Sequence, residues 1–188
     1  MSENTPARER VLHMAEQLFT AKGYAAVTLR DIADALQMKH ASLYYHVPGG
    51  KEALFVEVTE RSLAHHRAGL SAAMQSQPDL RGQLQAAARW LLAQPALNFT
   101  RMMQTDMPAL RAESAHRLRI AAREALIEPL QDVLRAGLPA RHGVNVGILS
   151  GAFLSMMEGL HSLPDHYSDR SKPEMADVLI EMFVTGLR

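Results

Sequence analysis

Between Asp34 and Glu52 the chain carries no acidic residue, and this gap holds Lys39, His40, His46 and Lys51, with Ser42, Tyr44 and Tyr45 among them. Cationic and hydroxyl donors suit phosphate oxygens, and aromatic edges suit the methyl groups of bases. Leu43 and Val47 lie four residues apart, so on a helix they share one inward side. The opposite side then shows Lys39, His40, Ser42, Tyr45 and His46, with Tyr44 at the flank. Lys51 follows Pro48-Gly49-Gly50 and opens the next helix. A lysine beside the free N–H groups of a helix start is suited to holding a phosphate. The plainer reading stands beside this one. Short paired helices are common in all-α proteins, tyrosine pairs often only pack, and both histidines could be solvated surface groups.

The elements that must position these residues are helical. Val11, Leu12, Ala15, Leu18 and Phe19 make one apolar stripe over about 5–22, ended by Gly23. Thr28 caps a second helix that ends near Leu36, with Asp31 in its first turn. The third helix covers about 39–46 and the fourth about 51–75. The fifth covers 79–93. A long helix is expected over 109–136, kinked or split at Pro129. Two apolar helices, about 142–163 and 172–187, complete the pattern. The second and third form a helix-turn-helix, whose second helix can lie in a DNA major groove.

Composition narrows the alternatives. The chain has 188 residues, 47% hydrophobic and 21% charged, a soluble globular balance. It has no cysteine, which excludes disulfides, thiolate metal sites and cysteine nucleophiles. The polar start "MSENTPARER" predicts no signal peptide. The most apolar stretch, "VGILSGAFLSMM", is well short of the roughly 20 residues a membrane span needs. The expected location is the cytoplasm. Formal net charge is zero, so only the local acid-free gap argues for nucleic acid.

"TLRDIADALQMKHASLYYHVPGGKEALF" resembles the signature of the TetR family of bacterial transcriptional regulators, densely so over about 8–58. The order Leu-Tyr-Tyr-His, a short spacer, then Lys-Glu-Ala-Leu carries the resemblance. It implies an all-α fold, with an N-terminal helix-turn-helix domain at 1–50 and a helical effector-binding and dimerisation domain at 51–188. It also implies roles. Thr28, Ser42, Tyr44 and Lys51 match positions that hold phosphates. His40, Ala41 and Tyr45 match those nearest the bases, with Arg30 and Lys39 as further candidates. His46 matches a position that touches the DNA backbone. Two departures stand out: Gln37 occupies a turn position where the family often has Gly, and Lys39 precedes the third helix where Ser or Thr is common.

In the C-terminal half, Gly147, Gly151, Ser155 and Gly159 recur every four residues and make a smooth ridge for a close-packed neighbour. Packing within one subunit would use the same ridge. The resemblance favours a homodimer in which the last two helices pair with their symmetry mates, adding Leu179 and Phe183 to the interface. The operator should then be roughly palindromic. The resemblance also implies a small-molecule site in the middle helices. Candidates are Trp90, Phe99, Met102, Met103, Met107, Phe153, Met156, Met157 and His161, although a methionine stripe can equally be plain core. Few charges intersperse them, which suits a mainly apolar effector; Arg101, His116 and Arg119 are possible anchors for an acidic group. No nucleophile motif, phosphate loop or carboxylate pair argues for an enzyme. His161, Asp165 and His166 offer only weak zinc spacing, so neither metal nor cofactor is expected. The functional expectation is a ligand-responsive DNA-binding regulator, most simply a repressor released from its operator by the effector.

Overall fold

The Thr5 hydroxyl accepts the Arg8 N–H at 3.3 Å, and Pro6 follows at the first helical position, where its missing N–H costs no bond. Helix α1 therefore starts at Pro6 and runs to Lys22, burying Val11, Leu12, Ala15 and Phe19 of the expected stripe. Gly23 ends it at φ 82°, a value that disfavours any residue with a Cβ. The computed structural model describes residues 5–138 and 145–186. Among these every regular element is helical, so the fold is all-α, as the sequence pattern predicts.

Helices α2 (Leu29–Ala35), α3 (His40–His46), α4 (Gly50–Gln75) and α5 (Leu80–Ala93) lie where periodicity and breakers place them. Then come α6 (Phe99–Arg101), α7 (Ala112–Ala122), α8 (Glu128–Gly137), α9 (Val146–Ser162) and α10 (Lys172–Thr185). The expected helix start near residue 142 falls outside the described residues. The long 109–136 helix is interrupted as Pro129 requires, and the interruption has a definite form. Residues 123–127 widen into a π turn just before α8. Residues 102–106 do the same before Pro108. In a regular helix each proline ring would strike the carbonyl four residues back and leave it without a donor. Widening the ladder by one residue just before the ring accommodates it.

The chain forms two compact units. One comprises residues 1–63 and 100–121, the other 64–99 and 122–188. In the first, Ile32, Leu43, Leu63, Met107 and Leu118 are fully buried. Ion pairs tie its helices at the rim: Arg8–Glu57 and Arg61–Glu9 join α1 to α4, and Arg117–Glu60 joins α7 to α4, each at 2.8 Å. In the second unit Leu84, Leu126, Leu130, Leu134, Phe153 and Ile180 are fully buried. Arg81–Glu181 and Arg89–Asp177 join α5 to α10, both at 2.8 Å. A Cβ at Gly69 would collide with the Trp90 indole, so that glycine lets α5 approach α4 there. By packing, residues 100–121 join residues 1–63, so the boundary between the units falls within α4. The functional division at residue 50 stays an expectation about roles.

Candidate functional site

The turn between α2 and α3 is built by hydrogen bonds that close the end of α2. Gln37 N–H reaches Asp34 O at 3.0 Å and Met38 N–H reaches Ala33 O at 2.9 Å. This pair of bonds is a Schellman closure, and it demands a left-handed residue between its arms. Gln37 takes that place at φ 54°, the one non-glycine residue with positive φ among those described. The left-handed conformation costs an L-residue about 1–2 kcal/mol. Gln37→Gly should therefore stabilise the protein by about 1 kcal/mol, less the entropy the added glycine gains when unfolded. In a chain of this size the melting temperature should rise by about 2–4 °C. An unchanged or lower melting temperature would show that the Gln37 side chain repays the strain.

Helix α3 presents the face the sequence predicts. Leu43 and Val47 are buried. Ala41, Ser42, Tyr44 and Tyr45 are exposed, Tyr45 at 83% of its surface, a large burden for an aromatic ring with nothing to cover it. Thr28, Arg30 and Lys39 are also exposed, and His40 and His46 are half-buried. The His46 ring meets the edge of Tyr45 with centroids 5.4 Å apart. His40 Nε2 lies 3.0 Å from Asp34 Oδ1 on α2, which ties the start of α3 to its neighbour. Lys39 precedes α3 without a side-chain capping bond.

Two of the expected phosphate ligands already have partners. Thr28 and Asp31 form a reciprocal cap: Asp31 Oδ2 accepts both the N–H and the hydroxyl of Thr28 at 2.7 Å, and Thr28 Oγ1 accepts Asp31 N–H at 3.1 Å. The Thr28 hydroxyl, then its N–H, hold the Asp31 carboxyl below the usual carboxylate range. A phosphate bound by Thr28 would have to displace that carboxylate. The Lys51 ammonium sits 4.2 Å from the centre of the Tyr24 ring. Burial lowers its pKa below the ordinary lysine value, with Asp31 opposing. Tyr24 in turn packs on Phe19 and Phe55, the latter at 5.0 Å between centroids.

The second unit contains a small cavity of about 30 Å³ that opens to solvent. Leu91, Pro95, Leu97, Phe99, Leu126, Leu154 and Met157 form its apolar wall, and His66, Glu158 and His161 its polar part. Phe99, Met157 and His161 were legible as candidates. His66 and Glu158 were not: His66 lies in the polar run His65-His66-Arg67 and Glu158 is one polar residue in an apolar helix, signals that surface positions also give. Of the other candidates, Trp90 packs against His66 edge-on at 5.3 Å, Phe153 lies fully buried in the core, and Met156 is half-buried. Met102, Met103 and Met107 belong to the first unit, where Met102 and Met107 are buried. The acid anchors also fall in the first unit. His116 and Arg119 are exposed, and Arg101 donates to the Phe19, Thr20 and Ala21 carbonyls at the end of α1.

On α9 the small-residue ridge divides. A Cβ at Gly147 would press on Gln131 of α8, whereas Gly151 and Gly159 have nothing within 4 Å of theirs. Ser155 is exposed, as are the apolar Ile148 at 70% and, on α10, Met182 at 67%. Leu179 and Phe183 are half-buried.

Comparison with known proteins agrees with this geometry. Residues 11–58 match the model described as bacterial regulatory proteins, tetR family. The chain is 33% identical over 88 residues to the HTH-type transcriptional regulator LmrA of Bacillus subtilis strain 168, an alignment spanning 47% of either chain, about half of each. A tetR-family regulatory protein from Rhodococcus RHA1 shares the fold at TM-score 0.78, with 21% identity over 98% of both chains. AibR, solved with isovaleryl coenzyme A and operator DNA, superposes at TM-score 0.74 with 17% identity, covering 93% of this chain and 96% of its own. Residues 11–58 are thus similar to the DNA-binding region of the TetR family of bacterial regulatory proteins, and the chain as a whole shares the fold of solved members.

Proposed function

We propose that this protein is a ligand-responsive DNA-binding transcriptional regulator, a homodimeric repressor released from a palindromic operator by a small, mainly apolar effector. The exposed face of α3 carries the reading. Ala41, Ser42, Tyr44 and Tyr45 lie opposite the buried Leu43 and Val47, so the helix is anchored from behind and open in front. AibR, which shares the fold, is known bound to both operator DNA and a small molecule, which supports a two-ligand protein. The reading places the protein in the cytoplasm, where operators are, and assigns it no catalysis. Among the described residues no helix is long and apolar enough to cross a membrane.

Two stretches of covalent continuity support control by an effector. Helix α4 runs unbroken from Gly50, at the reading head, to Gln75. Helix α6 carries Phe99, of the cavity wall, and Arg101, which holds the end of α1. An effector that favours one arrangement of these helices shifts DNA affinity, and by linkage DNA shifts effector affinity equally.

Selection of bound duplexes from a random DNA pool tests the proposal. It should enrich a palindrome with half-sites about one helical turn apart. Failure to enrich any sequence, at low salt and without ligand, would remove the specific-reader role. On the selected site Lys51→Ala should weaken binding and reduce the steepness of its salt dependence by about one phosphate contact. An unchanged salt slope would mean that Lys51 only covers Tyr24.

A further inference from the structure

Resting on the phosphate contact proposed for Lys51, we infer that Tyr24 is a positioning residue for DNA binding, its ring a fixed platform that aims the Lys51 ammonium before DNA arrives. The platform is held on several sides, all within the first unit. The Tyr24 N–H donates to Asp106 Oδ1 at 2.8 Å. Its ring packs on Phe19, with centroids 6.3 Å apart, and on Phe55 at 5.0 Å. Phe19 and Phe55 are buried and meet edge to face at 5.1 Å. The lysine end is held as well. Glu52, the next residue on α4, accepts from the Ser114 hydroxyl at 2.6 Å and from Arg111 Nε at 3.0 Å. These bonds, the Ser114 bond foremost, keep the Glu52 carboxyl below the usual carboxylate range. The first turn of α4 is therefore pinned to α7 and its approach while the ammonium rests 4.2 Å from the Tyr24 ring centre. The face of an aromatic ring is negative and attracts a cation, leaving the N–H groups on its far side to other partners. An ammonium has three such donors. Lys51 is half-buried, so part of it stays open to solvent and to a phosphate. Asp31, the acid whose charge reaches Lys51, directs its Oδ2 to Thr28. A lysine stem is costly to order, and a stem ordered in the free protein removes that cost from association.

Ring fluorination tests this, because fluorine withdraws charge from the ring face and scarcely changes its shape. The full-length protein with Tyr24→Phe, and with trifluorophenylalanine or pentafluorophenylalanine in place of Tyr24, is titrated onto the selected operator by fluorescence anisotropy. Tyr24→Phe keeps the platform and should bind within about twofold of the unsubstituted protein. Affinity should then fall stepwise with fluorine, by about fivefold across the series, the scale of a partly exposed cation–π contact. In the Lys51→Ala background the series should be flat, since no cation rests on the ring. Equal affinities along the series with Lys51 present would overturn the inference. The same stepwise loss in Lys51→Ala would overturn it too, because the fluorines would then act through packing. Affinity that rises with fluorine would show ring and phosphate competing for the ammonium, and a large loss in Tyr24→Phe alone would assign the effect to the hydroxyl; either result sinks the platform role. Failure of the unsubstituted protein to select any operator is a separate outcome, which removes the regulator reading and this inference with it.

Discussion

Asp106→Ala is expected to lower the stability of the first unit by about 3 kcal/mol, the scale of breaking a buried pair by removing one partner. Asp106 is 4% exposed. Its Oδ1 accepts the Tyr24 N–H at 2.8 Å, and its Oδ2 lies 3.5 Å from Arg101 Nε. Arg101 turns its terminal nitrogens to the Phe19 carbonyl at 3.1 Å and the Thr20 carbonyl at 2.6 Å. Those carbonyls belong to the last turn of α1, where a helix leaves acceptors open and favours a cation. One carboxylate therefore closes the turn after α1 and balances the guanidinium that caps it. Alanine leaves the Tyr24 N–H without its acceptor, removes the carboxylate beside the guanidinium, and leaves a small void. Asp106→Asn separates these losses. Its amide oxygen can still accept from Tyr24, so its cost should fall to about 1–2 kcal/mol, the scale of one lost charge-assisted bond. Urea unfolding of the two variants measures both figures, with the two units followed separately if they melt apart. Equal, small losses for both would mean that neither the charge nor the acceptor matters. The same substitution should weaken operator binding, since the turn it loosens leads directly into Thr28 and α2.

This clip shows why part of the molecule was legible in the sequence and part was not. The bounds of α1–α5 follow from local physics: a 3.6-residue apolar stripe, Thr28 as a cap, Gly23 and Pro48-Gly49-Gly50 as breaks. The exposed face of α3 follows from the same period. The π turns before Pro108 and Pro129 were legible only as interruptions, because sequence states that a proline breaks a ladder and not how the ladder yields. The Tyr24–Asp106 bond joins residues 82 positions apart, and no periodicity encodes such a partner. The sequence offers only Arg101 beside Met102 and Met103, which suggests an acid anchor next to a ligand wall, and gives Asp106 no role. The engagement of Lys51 with Tyr24 escaped for a related reason. Residue type shows what a side chain can donate, and the fold decides where the donor is already directed. Glu158 and His161, three apart on α9, were a visible pair in principle, but the apolar residues that make them a cavity come from several elements.

The largest functional effect is expected from Gly151→Arg and Gly159→Arg. A Cβ at either position meets nothing within 4 Å in the chain itself. Arginine is a far better helix former than glycine, by about 0.8–1 kcal/mol. Taken alone, then, each variant should fold with a slightly more stable α9. A partner changes the outcome. The exposed Ile148, Ser155 and Gly159 of α9, with Met182 of α10, make an apolar and small-residue face of the kind that close helix packing covers. In a two-fold dimer each arginine enters the interface twice, once from each copy. The bulk and charge then separate the helices, and the copies come apart. Light scattering should give twice the chain's 20.8 kDa for the unsubstituted protein and the single mass for the variants. Affinity for a palindromic operator should fall by about a hundredfold or more, because the second half-site contact no longer benefits from tethering. Affinity for an isolated half-site should scarcely change. Variants that keep the mass of the unsubstituted protein and only melt higher would show that this face stays open to water, and the homodimeric reading would fail with it.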